Sequence, residues 1–150
     1  MTCADCDTFS HMSTQSRVHR SFRLRPDVSE RLERRAAETG ASYTSLAEQF
    51  IDEGLRRERF PQVGFVDGPA GRRARLIGTR LDVWMLVEMI RASGSVEAAA
   101  ANLGQPIASL ETAAAYYVEY PEEIDALIEL NRAIAFREEA LFLKARQPLG

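Results

Sequence analysis

The chain has 150 residues, 45% hydrophobic and 27% charged, with a formal net charge of -3, which suits a short dimeric module followed by a small helical domain. No apolar run approaches the roughly 20 residues that a membrane-spanning helix needs, and the first residues lack the basic stretch and apolar core of a secretory signal, so a cytoplasmic protein with no membrane partner is expected. The charge is uneven: residues 17–25 hold four arginines and no acid, whereas residues 81–150 hold five basic and eleven acidic residues, so front and back suit different partners.

Cys3 and Cys6 lie in the opening six residues. With His11 and His19 they make four nominal zinc ligands, but the surrounding residues are small, polar and aperiodic, and no α/β pattern follows a redox Cys-x-x-Cys. A disordered tail over residues 1–16, holding no metal, is the expectation. In residues 18–24, Val18, Phe22 and Leu24 share one parity, interrupted by Arg20, while His19, Ser21 and Arg23 share the other. That alternation predicts a strand of about seven residues with one apolar and one polar face.

Pro26 and Asp27 end the strand and open a helix, since Pro is tolerated at a helix start and Asp favours its positive end. Val28, Leu32 and Ala36 repeat at helical spacing, and Gly40 stands where a C-terminal cap belongs. A second helix is predicted from Thr44 or Ser45, with Ser45 and Glu48 spaced as a capping box. It runs through Leu46, Phe50, Ile51 and Leu55 to the cations Arg56, Arg57 and Arg59. The Pro and Gly density that follows reads as a linker over residues 61–73, and a domain boundary is placed there.

Residues 74–80 form a short element ending in Ile-Gly-Thr-Arg. Helices are predicted over 82–92, 95–103 and 107–120, with a break at Gly104 to Pro106. A last helix from Pro121 sets Ile124, Leu127, Ile128, Asn131, Ile134, Leu141 and Phe142 on one stripe. The fold class is mainly α: a strand and two helices over 17–60, a helix-turn-helix-like trihelical domain over 74–120, and an amphipathic C-terminal helix over 121–150.

A lone strand of this length cannot satisfy its backbone or hide its apolar face, so it calls for a second copy. Two such strands make an antiparallel ribbon that fits the DNA major groove, with His19, Ser21 and Arg23 turned toward the bases. The free amides at the start of the second helix suit a phosphate near Ser42, Thr44 and Ser45. The stretch HRSFRLRPDVSERLERRAAETGASYTSLAEQFIDEGL resembles the ribbon-helix-helix family of Arc, MetJ and CopG over about a quarter of the chain. The resemblance implies a homodimer that contacts bases through His19, Ser21 and Arg23 and phosphates through Ser42, Thr44 and Ser45. Arg20 departs from it, standing where the family has an aliphatic residue.

In the second half, Ala100, Gly104 and Leu110 are spaced as in a helix-turn-helix. The helix over 107–120 nevertheless has no Lys or Arg and carries Glu111 and Glu119, which repel phosphate, so the motif is read as structural. RARLIGTRLDVWMLVEMIRASGSVEAAAANLG resembles a trihelical domain that recurs in antitoxins paired with toxins of a PIN-like ribonuclease fold. That resemblance implies an antitoxin of the VapB type that represses its own operon and binds its toxin. The amphipathic stripe has two readings, toxin contact through Ile124, Leu127, Ile128, Ile134, Leu141 and Phe142, or packing into the protein's own core. A stand-alone ribbon-helix-helix repressor, or an adaptor whose ribbon only dimerises, are the alternatives. No catalytic constellation and no phosphate loop is present, and Glu122, Glu123 and Asp125 suit a helix start, so neither enzyme activity nor a cofactor is expected.

Overall fold

A computed structural model describes residues 18–69 and 71–146. The tail expected over residues 1–16, with Cys3 and Cys6, lies outside the described residues. The chain divides into two compact units, one ending at Tyr43 and one beginning at Thr44.

In the first unit, residues 18–25 belong to no helix or sheet. A strand is defined by its ladder, and among the described residues this segment has no pairing partner. The segment's apolar parity is open to solvent, Val18 at 67% and Phe22 at 60% exposure. Helix α1, Pro26–Thr39, starts and stops where its residues dictate. Arg25 stays extended at ψ 147, Pro26 takes the first turn, and Gly40 adopts the left-handed conformation at φ 68, which costs a residue without a Cβ nothing. Asp27 binds Arg31 one turn on at 3.0 Å, and Leu32 is buried.

Helix α2, Tyr43–Arg59, begins before Ser45. Ser45 therefore lies inside the first turn, so the capping box expected of Ser45 and Glu48 has its register displaced, and Ser42 directly precedes the helix. The expected boundary near residue 61 also moves, because α2 from Thr44 onward groups with everything that follows.

The linker expected over residues 61–73 is instead an antiparallel hairpin, β1 (Val63–Gly68) and β2 (Gly71–Leu76), with Val63 opposite Leu76 and Phe65 opposite Ala74. Its glycines serve packing as well as turning. A Cβ on Gly68 would overlap the guanidinium of Arg73, so only glycine lets that side chain lie across the strand. The Ile-Gly-Thr-Arg stretch is a tight turn after β2: Thr79 Oγ1 donates to the Leu76 carbonyl at 2.9 Å and accepts from the Leu81 amide at 3.1 Å.

Four helices complete the second unit: α3 (Val83–Ser93), α4 (Val96–Leu103), α5 (Ile107–Glu119) and α6 (Pro121–Ala145). Ser95 caps α4, its Oγ accepting from the Ala98 amide at 3.0 Å. A single core gathers Val63 and Leu76 from the hairpin, Val83 and Leu86 from α3, Leu110 and Tyr116 from α5, and Ile124 and Ile128 from α6. The first turns of α6 are thus part of this domain, and the boundary expected at residue 121 does not exist.

Candidate functional site

Of the residues expected to meet DNA, His19, Ser21 and Arg23 lie exposed on the extended segment of the first unit. Thr44 and Ser45 lie exposed in the first turn of α2, which contains no acid, with Ser42 just before it. An acid-free helix start keeps its positive end available to an anion.

Helix α2 has two unlike faces. Its inner face is tied to the rest of the second unit by charged side chains. Glu53, buried, accepts two bonds from Arg72 of β2 at 2.7 and 2.8 Å and one from Gln49 at 2.9 Å. Arg56 donates to Tyr116 Oη at 2.8 Å and to Glu123, while Tyr116 in turn donates to Glu123 at 3.2 Å. The Arg56 guanidinium also sits 4.1 Å from the centre of the Tyr120 ring, where the ring face attracts a cation. Arg59 donates to Glu119 at 2.9 Å. Burial pulls the Arg56 guanidinium's proton affinity down, but its bonds to Glu123 and Tyr116 more than compensate and raise it above the ordinary arginine range. Burial, helped by the nearby Glu123 carboxylate, pushes the Tyr116 hydroxyl well above its ordinary range and keeps it neutral. On the far side at 3.6 residues per turn, α2 leaves Ile51 and Leu55 exposed, and Phe50, three residues before Glu53, is exposed on the flank between the two faces.

Asp82 is buried at the start of α3 and is shared by Arg73 and Arg75, the latter at 2.7 Å. The arginine-rich strand β2 is therefore neutralised from within: Arg72 is met by Glu53, and Arg73 and Arg75 by Asp82. These cations hold the hairpin in place.

The helix-turn-helix-like pair α4 and α5 carries no basic residue. Along its outer side α5 exposes Ile107, Glu111, Ala115 and Val118, the last at 79%. Beside it runs an open groove of about 400 Å³, walled by Phe60, Pro61 and Gln62 and by Ala108, Glu111 and Ala115. With Glu111 and Glu119 and no cation of its own, α5 offers a phosphate backbone no attraction.

Helix α6 splits the residues expected to contact a partner. Ile124, Leu127 and Ile128 are buried, with Ile124 and Ile128 part of the domain core. They are not available to a partner, because the helix docks into its own domain through them. Ile134, Leu141 and Phe142 are exposed. Phe142 lies 18 residues past Ile124, five full turns, so the stripe that serves the core continues into solvent. A second exposed pair lies outside the expected stripe: Phe136 at 76% and Leu143 at 57% exposure, with Ala140 between them. Their spacing of seven is the signal that marks a shared face.

Among the described residues no group of three or more His, Cys, Asp or Glu side chains is arranged to hold a metal ion, and no helix is long and apolar enough to cross a membrane. Comparison with known proteins finds no matching family, no matching curated protein and no matching solved structure.

Proposed function

We propose that this chain is a homodimeric DNA-binding antitoxin: its N-terminal segment forms a ribbon with a second copy and reads operator DNA, and its C-terminal unit binds and inhibits a ribonuclease toxin of PIN-like fold. The observation that carries the first half is the distribution of unpartnered apolar surface. Val18, Phe22 and Leu24 are exposed on one parity of the extended segment, Ile51 and Leu55 are exposed on the outer face of α2, and Phe50 is exposed on its flank. A second copy would bury them, turning His19, Ser21 and Arg23 to the groove of the duplex. The acid-free start of α2 at Ser42, Thr44 and Ser45 supports a phosphate contact. The toxin half is supported by Ile134, Leu141 and Phe142, a stripe left open where the helix leaves its own core. That stripe favours a protein partner over a stand-alone repressor.

The DNA reading is tested with the promoter fragment of the chain's own operon. Arg23→Ala is expected to weaken binding by ~1 to 3 kcal/mol and to relax sequence preference, measured by electrophoretic shift at fixed salt. Failure of the unaltered chain to bind that fragment overturns it. The toxin reading is tested by co-expression with the adjacent gene. Co-purification of a small ribonuclease, lost on Leu141→Asp, is the expected outcome, and an adjacent product that neither binds nor is inhibited counts against it.

A further inference from the structure

Arg132, which donates to Glu88 of α3, is the last residue of α6 whose side chain bonds to another element among the described residues, and from there the helix runs unbroken to Ala145. This end is apolar on two sides. One side is the stripe of Ile134 and Leu141. The other holds Ala133, Phe136, Ala140 and Leu143, with Phe136 and Leu143 open to solvent. Their alternating steps of three and four residues are those of the seam between two coiled helices. At 3.6 residues per turn the two stripes stand roughly 140° apart, so a partner seated on the first does not cover the second.

The charges beside the second stripe identify its partner. Glu139 flanks the seam on one side and Lys144 on the other, each roughly 70° from its centre, and neither side chain has a partner among the described residues. When two such helices pair in parallel, opposite flanks face each other, and a flanking residue before a seam position meets the one five places on in the mate. Glu139 and Lys144 have that separation, so the glutamate of each copy falls opposite the lysine of the other. An antiparallel pair brings like flanks together, glutamate to glutamate and cation to cation. The second flanking pair of the parallel arrangement, Arg132 and Arg137, repels little because Arg132 is already met by Glu88 and Glu129. The stripe of Ile134 and Leu141 is no substitute, since Arg137 falls in line between them.

We propose that the end of α6 pairs in parallel with the end of α6 from a second copy of this chain, through Ala133, Phe136, Ala140 and Leu143, its register and direction set by Glu139 and Lys144. Glu129 stands at the next seam position toward the domain and ends the contact, which is about 15 Å long. Ile124 and Ile128, which dock α6 into its own core, point roughly 110° away from the seam, so each domain lies on the outside of the pair. The contact uses neither the ribbon nor the stripe assigned to the toxin, so it fails or holds independently of both. A seam of this length holds weakly, and trapping is the way to see it.

The test traps the pair as a disulfide in the full chain, with Cys3→Ser and Cys6→Ser removing the native thiols. In a glutathione buffer, Ala133→Cys, in the seam, is expected to give roughly tenfold more linked dimer than Ala135→Cys, exposed but off the seam. An antiparallel pair would hold the two copies of position 133 about 15 Å apart and leave them unlinked. Glu139→Lys is expected to cut the yield roughly three- to tenfold without lowering the melting temperature, and adding Lys144→Glu is expected to restore it. Phe22→Asp, which removes the ribbon's apolar contact, is expected to leave the dimer in place. Equal trapping at 133 and 135, no trapping at 133, a yield indifferent to Glu139→Lys, no rescue by the second change, or loss with Phe22→Asp overturns the proposal.

Discussion

Glu53 shows how much a single charge can hold. It is buried, yet all its stabilising bonds come from side chains that it draws together, Gln49 on its own helix and Arg72 on the hairpin. Glu53→Ala would leave Arg72 partly buried without its main acceptor, and a loss of ~1 to 3 kcal/mol is expected. A lower urea midpoint at unchanged slope would show it, and an unchanged midpoint would refute it. Asp125 acts through pH. Its bond from Arg91 at 2.7 Å, helped by Tyr117 at 3.2 Å, holds its carboxyl below the ordinary value of 3.8. A carboxyl lowered by folding adds stability above its ordinary range and loses it as pH falls through the lower, folded value. The pair is exposed, so the effect is small and weakened by salt. Asp125→Asn is expected to make the fall in melting temperature from about pH 5 to about pH 3 shallower at low ionic strength. None of these pairings was legible in the sequence. Glu53 and Arg72 are 19 residues apart and Arg56 and Tyr116 are 60 apart, and a charge count along the chain does not say which arginine a distant glutamate meets.

At the scale of elements, local signals were read well and their tertiary use less well. Pro26 and Gly40 bounded α1 because both act through their own backbone. The hairpin resembles a linker in sequence because a glycine that supplies backbone freedom looks the same as one that supplies room: Gly71 turns at φ 94 in open space, whereas Gly68 makes room for Arg73. Helix α6 was read as one amphipathic stripe, although its two halves are used differently. Ile128→Ala, in the core, is expected to cost ~2 to 5 kcal/mol. Leu141→Ala, in solvent, is expected to stay within about 0.5 kcal/mol. Urea denaturation of the two variants measures the contrast, and equal losses would mean that the far end of α6 is packed in the free protein.

For the whole molecule, the junction at Tyr43 and Thr44 matters more than the expected one near residue 61. Helix α2 gives Glu53, Arg56 and Arg59 to the second unit, and Phe60, directly after it, adds a buried ring. A fragment of residues 44–146 is therefore expected to unfold cooperatively, and one of residues 61–146 to be far less stable or unfolded, as circular dichroism against temperature would report. Equal transitions in both would dispose of the role given to α2. The helix periodicities made a mainly helical chain legible from the start, whereas the ownership of α2 depended on partners far downstream. That distance has a consequence for the order in which the protein is made. Arg56 must wait for Glu123, 67 residues later, which at ordinary rates of synthesis is roughly 3 to 13 s. During that interval Arg72 already reaches Glu53, while Arg56 still lacks Tyr116 and Glu123, so the last turn of α2 is the last part of that helix to be secured.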